Sequence, residues 1–202
     1  MSDTRPAGPP MGLRERKKAR TRAAIRTEAM RLFRERGYSA TTIEQIAAAA
    51  DISPATFFRY YPTKEDVVLQ DDLDLLLPEA VEAQPPSLGP IAAVRAAVAQ
   101  ALSPMSPAEL DRLMETIALS ASVPEIRARA ADEFARTIEV MAVPLARRAG
   151  RPPDDLEARH VAGAMIGVIW AATMVPPFSG DPAGLVARID GALAHLERGL
   201  PL

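Results

Sequence analysis

The side chains best suited to binding chemistry lie close together, on the exposed side of the segment from Ser53 to Tyr60. Thr56, Arg59 and Tyr60 offer a hydroxyl, a guanidinium and a phenol, which can hydrogen-bond or stack. Lys64 follows at the predicted start of the next helix, where its ammonium and the helix N-terminus can both face a phosphate. This set of groups indicates binding of a nucleic acid through base edges and phosphates.

The sequence contains no comparable set of residues for catalysis or for metal binding. The chain has no cysteine, and its two histidines, His160 and His195, form no spaced metal motif. It contains no phosphate-cradling glycine loop and no serine in a nucleophile elbow. Asp71, Asp72 and Asp74 splay around a predicted helix, which favours a solvated face over a cation site. The sequence therefore predicts no catalytic residue, no metal site, no cofactor and no enzyme activity.

Short helices must position the binding groups. A helical pattern ends near Arg36, and a stripe of isoleucine and alanine begins after Thr42, which can cap the second helix. After a tight turn, Ser53 can cap a third helix, short enough to enter the major groove of DNA. This arrangement is a helix-turn-helix. Thr63 then starts a further helix, which the pattern carries to Leu77.

Prolines divide the rest of the chain into further helices. Pro78 and the prolines up to Pro90 predict a linker, and helix-start signals follow at Ser106, Ser122 and the pair Asp154-Asp155. No segment alternates with period two, so the predicted fold is all-α. The predicted organisation is a disordered tail at residues 1–12, a three-helix DNA-binding domain at 13–62 and a second helical domain at 63–202.

Charge is divided along the chain in a similar way. The formal net charge is −2, yet residues 1–65 carry thirteen basic and seven acidic side chains, and the remainder is acidic overall. A basic block indicates a polyanionic partner, here double-stranded DNA. The basic run from Arg14 to Arg22 can reach phosphates or a minor groove, or it can equally be a solvated, disordered arm.

Hydropathy predicts a cytoplasmic protein that does not contact a membrane. The longest uncharged run begins at Val161 and stops at Pro176, too short for a hydrocarbon core of about 30 Å. The N-terminus also lacks the apolar stretch of a signal peptide.

A set of motifs in the first third of the chain carries a family resemblance. They are Ala-x-x-Leu-Phe-x-x-x-Gly-Tyr from Ala29 to Tyr38, Thr41-Thr42-Ile43, Ile46-Ala47-x-x-Ala50, Ser53-x-x-Thr56-Phe57-Phe58-x-Tyr60-Tyr61, and Lys64-Glu65. With these motifs, residues 13–68 resemble the N-terminal domain of the TetR family of transcriptional regulators. The resemblance implies that Thr42 holds a phosphate, that Pro54, Ala55 and Thr56 face base edges, that Arg59 meets bases or phosphate, and that Tyr60 and Lys64 meet the DNA backbone. The complete predicted DNA-binding set is Lys17, Lys18, Thr42, Ser53, Pro54, Ala55, Thr56, Arg59, Tyr60 and Lys64.

Two residues depart from the family pattern. Asp51 stands where family members usually carry glycine, so we expect Asp51 to adopt a left-handed conformation, which aspartate tolerates. Phe58 stands where they usually carry tyrosine, so a phosphate-bonding hydroxyl is missing. We expect Phe58 only to pack or to make van der Waals contact.

The second domain is predicted to dimerise. The helix from Ala162 to Ala172 is apolar on every side, and the last helix carries a stripe of leucines. Together they favour half of an intermolecular four-helix bundle, the usual dimer interface of the family, over an ordinary intramolecular core. A homodimer can read both halves of a palindromic site.

The family resemblance also implies a pocket for a small-molecule effector in this second domain. The candidate lining residues are Met114, Ile117, Phe134, Met141, Trp170, Met174 and Phe178. Their aliphatic and methionine character favours a flexible apolar ligand, such as an acyl compound. The resulting hypothesis is a repressor that is released from DNA when the ligand shifts the helix from Thr63 to Leu77. The alternatives are a constitutive dimeric regulator without a ligand, and a helical scaffold that binds other proteins.

Overall fold

The computed structural model describes residues 12–70, 73–174 and 182–202. These residues form ten α-helices and no strand, which confirms the predicted all-α fold. The helices are α1 (Leu13–Arg36), α2 (Ile43–Ala49), α3 (Pro54–Tyr60), α4 (Lys64–Leu69), α5 (Leu73–Glu82), α6 (Pro90–Leu102), α7 (Pro107–Ser122), α8 (Pro124–Arg148), α9 (Leu156–Met174) and α10 (Pro182–Glu197). None of these helices is both long enough and apolar enough to cross a membrane. The predicted tail, apart from Gly12, lies outside the described residues.

The first of two compact units contains the short helices that carry the predicted DNA-binding residues. The boundary between the units falls after Val67. Ile25 of α1, Ile46 of α2 and Phe57 of α3 are completely buried and form the core of the first unit. Helices as short as α2 and α3 are marginal in isolation, so this shared core is what stabilises them.

The second unit is built around α8, α9 and α10. Helix α9 packs against both α8 and α10, and all three share one apolar core with α5, α6 and α7. Leu185 and Leu193 of α10 are completely buried, so the leucine stripe faces the interior of its own unit. The leucine stripe therefore belongs to the core of its own unit, whereas its sequence pattern favoured a place between two chains.

Two predicted helix starts are confirmed by their caps. The carboxylate of Glu109 accepts hydrogen bonds from the backbone N–H of Ser106 at 2.7 Å and from its hydroxyl at 2.6 Å. The carboxylate of Asp155 accepts a hydrogen bond from the N–H of Ala158 at 2.8 Å. That bond, together with one from Arg151, holds the pKa of Asp155 below its usual range. Both helices thus begin where a local side chain satisfies a free backbone donor.

Other predicted boundaries are wrong. Pro78 lies inside α5 rather than in a linker, and the single helix predicted from Thr63 to Leu77 is instead the pair α4 and α5. Val81, which follows Pro78 by three residues, is completely buried, and its packing favours continuation of the helix past a residue that lacks an N–H. Ser122 closes α7, and the residue after it caps α8.

The loop between α5 and α6 is held by a single arginine of α8. Arg148 donates from Nη1 to the carbonyl oxygens of Val81 at 3.3 Å and Gln84 at 2.6 Å. It donates from Nη2 to those of Pro85 at 2.9 Å and Leu88 at 3.1 Å. Carbonyls at a helix C-terminus have no partner within the helix, so the guanidinium satisfies groups that the loop cannot. We call this arrangement the Arg148 clamp.

Replacement of Arg148 should destabilise the second unit. Arg148→Met keeps the apolar stem but removes the donors, so we expect the free energy of unfolding to fall by about 2–3 kcal/mol. Arg147→Met is the matched control, because Arg147 is 60% exposed and makes a surface ion pair with Glu82. We expect the control to change stability by less than about 1 kcal/mol. Denaturant unfolding followed by circular dichroism measures both values, and equal effects would contradict a structural role for the clamp.

Candidate nucleic-acid interface

Helix α2 begins with a capping box at Thr42. The Thr42 hydroxyl accepts a hydrogen bond from the backbone N–H of Gln45 at 3.3 Å, and Oε1 of Gln45 accepts one from the N–H of Thr42 at 3.1 Å. The reciprocal bonds fix the first turn of α2 and hold Thr42 at its exposed end. Thr42 is thus placed at the solvent-facing start of α2, as a phosphate contact requires.

The turn between α2 and α3 depends on a left-handed residue. Asp51 has φ of 53°, which confirms the conformation predicted for it. The N–H of Ile52 donates to the carbonyl of Ala47 at 3.0 Å, and the N–H of Asp51 donates to that of Ala48 at 3.2 Å. This pair of bonds is a Schellman motif, in which glycine is the usual left-handed residue. The turn directs the chain from α2 into α3 within four residues.

Helix α3 is capped by Ser53 and anchored by two rings. The Ser53 hydroxyl accepts a hydrogen bond from the N–H of Thr56 at 3.1 Å. Phe57 is fully buried and Tyr61 is 1% exposed, with the Tyr61 hydroxyl donating to the carbonyl of Arg22 at 3.3 Å. These contacts fix the inward side of α3.

The rest of α3 forms a surface that we call the reading face. It consists of Pro54, Ala55 and Arg59, which are exposed, and Thr56, which is half-buried. The structure therefore brings the predicted base-contacting residues together on one side of one helix. Helix α3 has the size and exposure needed to enter a major groove.

Beside the reading face lies a basic groove that joins α1 to α3. Arg14, Lys17 and Lys18 of α1 line it together with Arg59 and Tyr60 of α3. The guanidinium of Arg59 lies over the ring of Tyr60, 5.4 Å from its centroid. The basic run from residue 14 onward is helical, so its cations are held in register rather than spread along a loose arm. Among the side chains that the structure describes, four cations and no carboxylate line the groove, which favours the binding of phosphates.

Lys64 has structural partners that its sequence position did not indicate. Its ammonium donates to the carbonyl oxygens of Tyr38 at 2.9 Å and Thr41 at 3.0 Å, and it lies 4.0 Å from the centroid of the Tyr38 ring. The Tyr38 hydroxyl in turn donates to the carboxylate of Glu65. Lys64 thus joins the start of α4 to the turn after α1. At most one of its three N–H groups is left for a DNA phosphate.

The carboxylate of Glu65 belongs to the same junction. Partial burial opposes its ionisation, but hydrogen bonds from Tyr38, from its own backbone N–H and from Thr63 outweigh burial and lower the pKa of Glu65. The junction therefore contains an ionised carboxylate and an ammonium on either side of one tyrosine.

The predicted ligand-binding residues fall into two groups in the second unit. Met114, Ile117 and Met141 lie in its apolar core, at 8%, 9% and 3% exposure. Phe134 of α8 and Trp170 of α9 form an edge-to-face pair with ring centroids 5.2 Å apart.

The other two predicted ligand residues, Met174 and Phe178, do not belong to these groups. Met174 is half-buried at the end of α9, and Phe178 lies outside the described residues. The sequence also did not predict an open depression of about 330 Å³ between α6 and α10. None of the predicted ligand residues line it. Its mouth carries an ion pair between Arg95 and Asp190, which are separated by 95 positions and so gave no local signal.

Two family models match the chain, one in each unit. The model of bacterial regulatory proteins of the tetR family matches residues 25–70, and the model of the MftR C-terminal domain matches residues 88–201. The first match contains α2, α3 and the Lys64 junction. The second covers more than half of the chain and contains α6 to α10.

Individual relatives agree with these matches. The chain is 40% identical to the HTH-type transcriptional regulator TcmR of Streptomyces glaucescens over 108 residues, which are 52% of this chain and only 47% of TcmR. It is 29% identical to the putative mycofactocin biosynthesis transcriptional regulator MftR of Mycobacterium tuberculosis, over 78% of this chain and 80% of MftR. Among solved structures it is similar to Thermus thermophilus FadR, a TetR family repressor in complex with lauroyl-CoA. That match has 28% identity, a TM-score of 0.52 and coverage of 90% of this chain and 95% of FadR.

Loss of the Lys64 ammonium should affect folding as well as DNA binding. Lys64→Met leaves the carbonyls of Tyr38 and Thr41 without their donor, so we expect the free energy of unfolding to fall by about 2 kcal/mol. Lys17→Met is the control, because Lys17 is exposed on α1, and it should change stability by less than about 0.5 kcal/mol. Denaturant titration of both variants measures the difference. Wild-type stability of Lys64→Met would show that its carbonyl contacts contribute nothing to folding.

Proposed function

Because the chain belongs to the TetR family of bacterial regulatory proteins, we propose that it is a homodimeric repressor that binds a palindromic operator and is released by a small apolar ligand. Members of this family are DNA-binding transcriptional regulators, so the chain is a regulator of transcription and not an enzyme. The repressor role, the palindrome, the dimer and the ligand are the parts that we propose. The reading face of α3 beside the basic groove is the observation that carries the proposal.

The proposed DNA complex places α3 in the major groove. Pro54, Ala55 and Thr56 meet base edges near the start of α3, and Arg59 meets a base or a phosphate. Lys17 and Lys18 lie in the same groove as Arg59, so they contact phosphates along one side of the helix. Base contacts then supply sequence preference, whereas the lysines supply affinity for any duplex.

The proposed dimer uses the outward sides of α9 and α10. Ala164 and Ala171 are exposed on α9, and a Cβ added at Gly167 would meet no atom within 4 Å. Small side chains on one face let a second pair of helices approach closely and complete a four-helix bundle. A twofold axis through this bundle presents two copies of α3, as a palindromic operator requires.

The proposed ligand has a flexible acyl chain. Support comes from FadR, whose structure contains lauroyl-CoA, and from the composition of the core between α7, α8 and α9. Met114, Met141 and Met165 are buried in this core, and methionine adapts readily to an irregular guest. An acyl chain that displaces them would move α8, and the Arg148 clamp would pass that movement to α5. Helix α5 follows α4 along the chain, so α4 and then α3 would be shifted.

A constitutive dimeric regulator without a ligand is the second candidate. The observation that favours it is the close packing of Met114, Ile117 and Met141, which are at most 9% exposed. On this alternative these side chains are ordinary core, and the repressor is controlled by its own concentration.

Variants of the reading face and the groove should separate specificity from affinity. Thr56→Ala should lower affinity for the operator by about tenfold while binding to unrelated duplexes changes little, because it removes a base contact. Lys17→Ala should weaken binding to all duplexes alike and lower the slope of log affinity against log salt by about one. Fluorescence anisotropy at several salt concentrations measures both, with an expected stoichiometry of two chains per operator. The reverse pattern would contradict the assigned roles, and one chain per operator would contradict the dimer.

The single tryptophan of the chain gives a direct test of the ligand proposal. Trp170 packs against Phe134 beside the core, so its emission should change when lauroyl-CoA enters. Over the same concentrations, we expect operator affinity to fall at least tenfold. Coenzyme A without the acyl chain is the control and should change neither signal. If acyl-CoA esters of short, medium and long chains all leave both signals unchanged, the constitutive alternative is favoured.

A further inference from the structure

Phe58 is an exposed aromatic ring on the helix proposed to enter the DNA groove. It is 51% exposed, whereas its neighbour Phe57 is fully buried. The two rings meet edge to face with centroids 5.7 Å apart, so one side of the Phe58 ring packs against the body of the unit. A single exposed apolar residue needs no explanation by itself. What makes Phe58 informative is its position on α3.

Helical geometry places Phe58 along one edge of the reading face. Residues three apart on a helix are surface neighbours, so Phe58 lies beside the exposed methyl group of Ala55. Successive residues are rotated by about 100°, so Arg59 lies on the other side of Ala55 from Phe58 and Tyr60 lies further round the helix, and both line the basic groove. Helix α3 therefore presents an apolar edge formed by Ala55 and Phe58, and a cationic edge that faces phosphates.

The apolar edge is complementary to one group in the major groove of DNA. Thymine carries a 5-methyl group there, whereas the other base edges present hydrogen-bond donors and acceptors. Phe58 has no hydroxyl with which to bind a phosphate, but its ring can cover a methyl group. We propose that Phe58, together with Ala55, contacts the 5-methyl group of a thymine in each half-site and makes that position selective for thymine. This inference rests on the proposed operator binding.

Deoxyuridine tests the inference at a single methyl group. The full chain first selects its operator from randomised duplexes, and each thymine of that operator is then replaced in turn by deoxyuridine. At one thymine per half-site we expect the wild type to lose affinity about fourfold, and about fifteenfold when both half-sites are changed. Phe58→Ala should bind the thymine operator as weakly as the wild type binds the doubly substituted one. Phe58→Ala should also lose no further affinity when the thymine is replaced by deoxyuridine, because the ring and the methyl group form one contact.

Two further variants complete the comparison. Phe58→Tyr retains the ring and should retain the dependence on the methyl group. Arg59→Ala should weaken binding but keep the same ratio between thymine and deoxyuridine operators. Phe58→Ala loses the edge-to-face contact with Phe57, and the higher helix propensity of alanine offsets part of that loss, so its melting temperature should stay within a few degrees of that of the wild type.

The outcomes distinguish this inference from the proposed function. If the wild type selects an operator but no thymine shows a methyl dependence, or if Phe58→Ala keeps that dependence, the role of Phe58 is wrong and operator binding stands. If the wild type selects no sequence at all, operator binding fails and the role of Phe58 fails with it.

Discussion

The geometry of the DNA interface depends on the burial of Phe57 and Tyr61. Both rings are almost completely excluded from solvent, and four positions separate them in the chain, so they fix the rotation of a helix of only seven residues. A helix of that length has little stability of its own. Because its inward side is set by these rings, its other side chains acquire defined directions. Ala55 and Phe58 then form the apolar edge of α3, and Arg59 lies on the other side of Ala55.

Much of this interface could be predicted because its signals are local. Ser53 bonds a backbone N–H three residues away, and the left-handed Asp51 ends α2 through bonds that reach back no further than Ala47. Such interactions depend on residue type and short spacing, both of which a sequence displays. The apolar period of α1 and α2 likewise identifies the faces that are buried with Phe57. The turn and the buried face together determine the approximate position of the reading face.

Contacts between distant residues could not be predicted in the same way. Lys64 bonds carbonyls that lie 26 and 23 positions earlier, and the carbonyls held by Arg148 lie 60 to 67 positions before it. A backbone carbonyl is present at every residue, so the sequence gives no sign of which one a cation will meet. The helix position of Lys64 and the family resemblance therefore predicted only a phosphate ligand. The continuation of α5 past Pro78 could not be predicted either, because it depends on tertiary packing.

The sequence also could not show what covers the residues of the proposed ligand site. Their packing bears on how a ligand would release the protein from DNA. Periodicity marks Met114 and Met141 as buried, but it does not say whether protein or ligand covers them. Their low exposure means that an acyl chain must displace packed side chains to enter. A ligand shifts an equilibrium only by its different affinities for the two states. In the proposed mechanism, the packed core is therefore the DNA-binding state, and the ligand stabilises an arrangement in which α8 has moved. The Arg148 clamp then has a second consequence, because α8 cannot move far without either taking the end of α5 with it or breaking four hydrogen bonds.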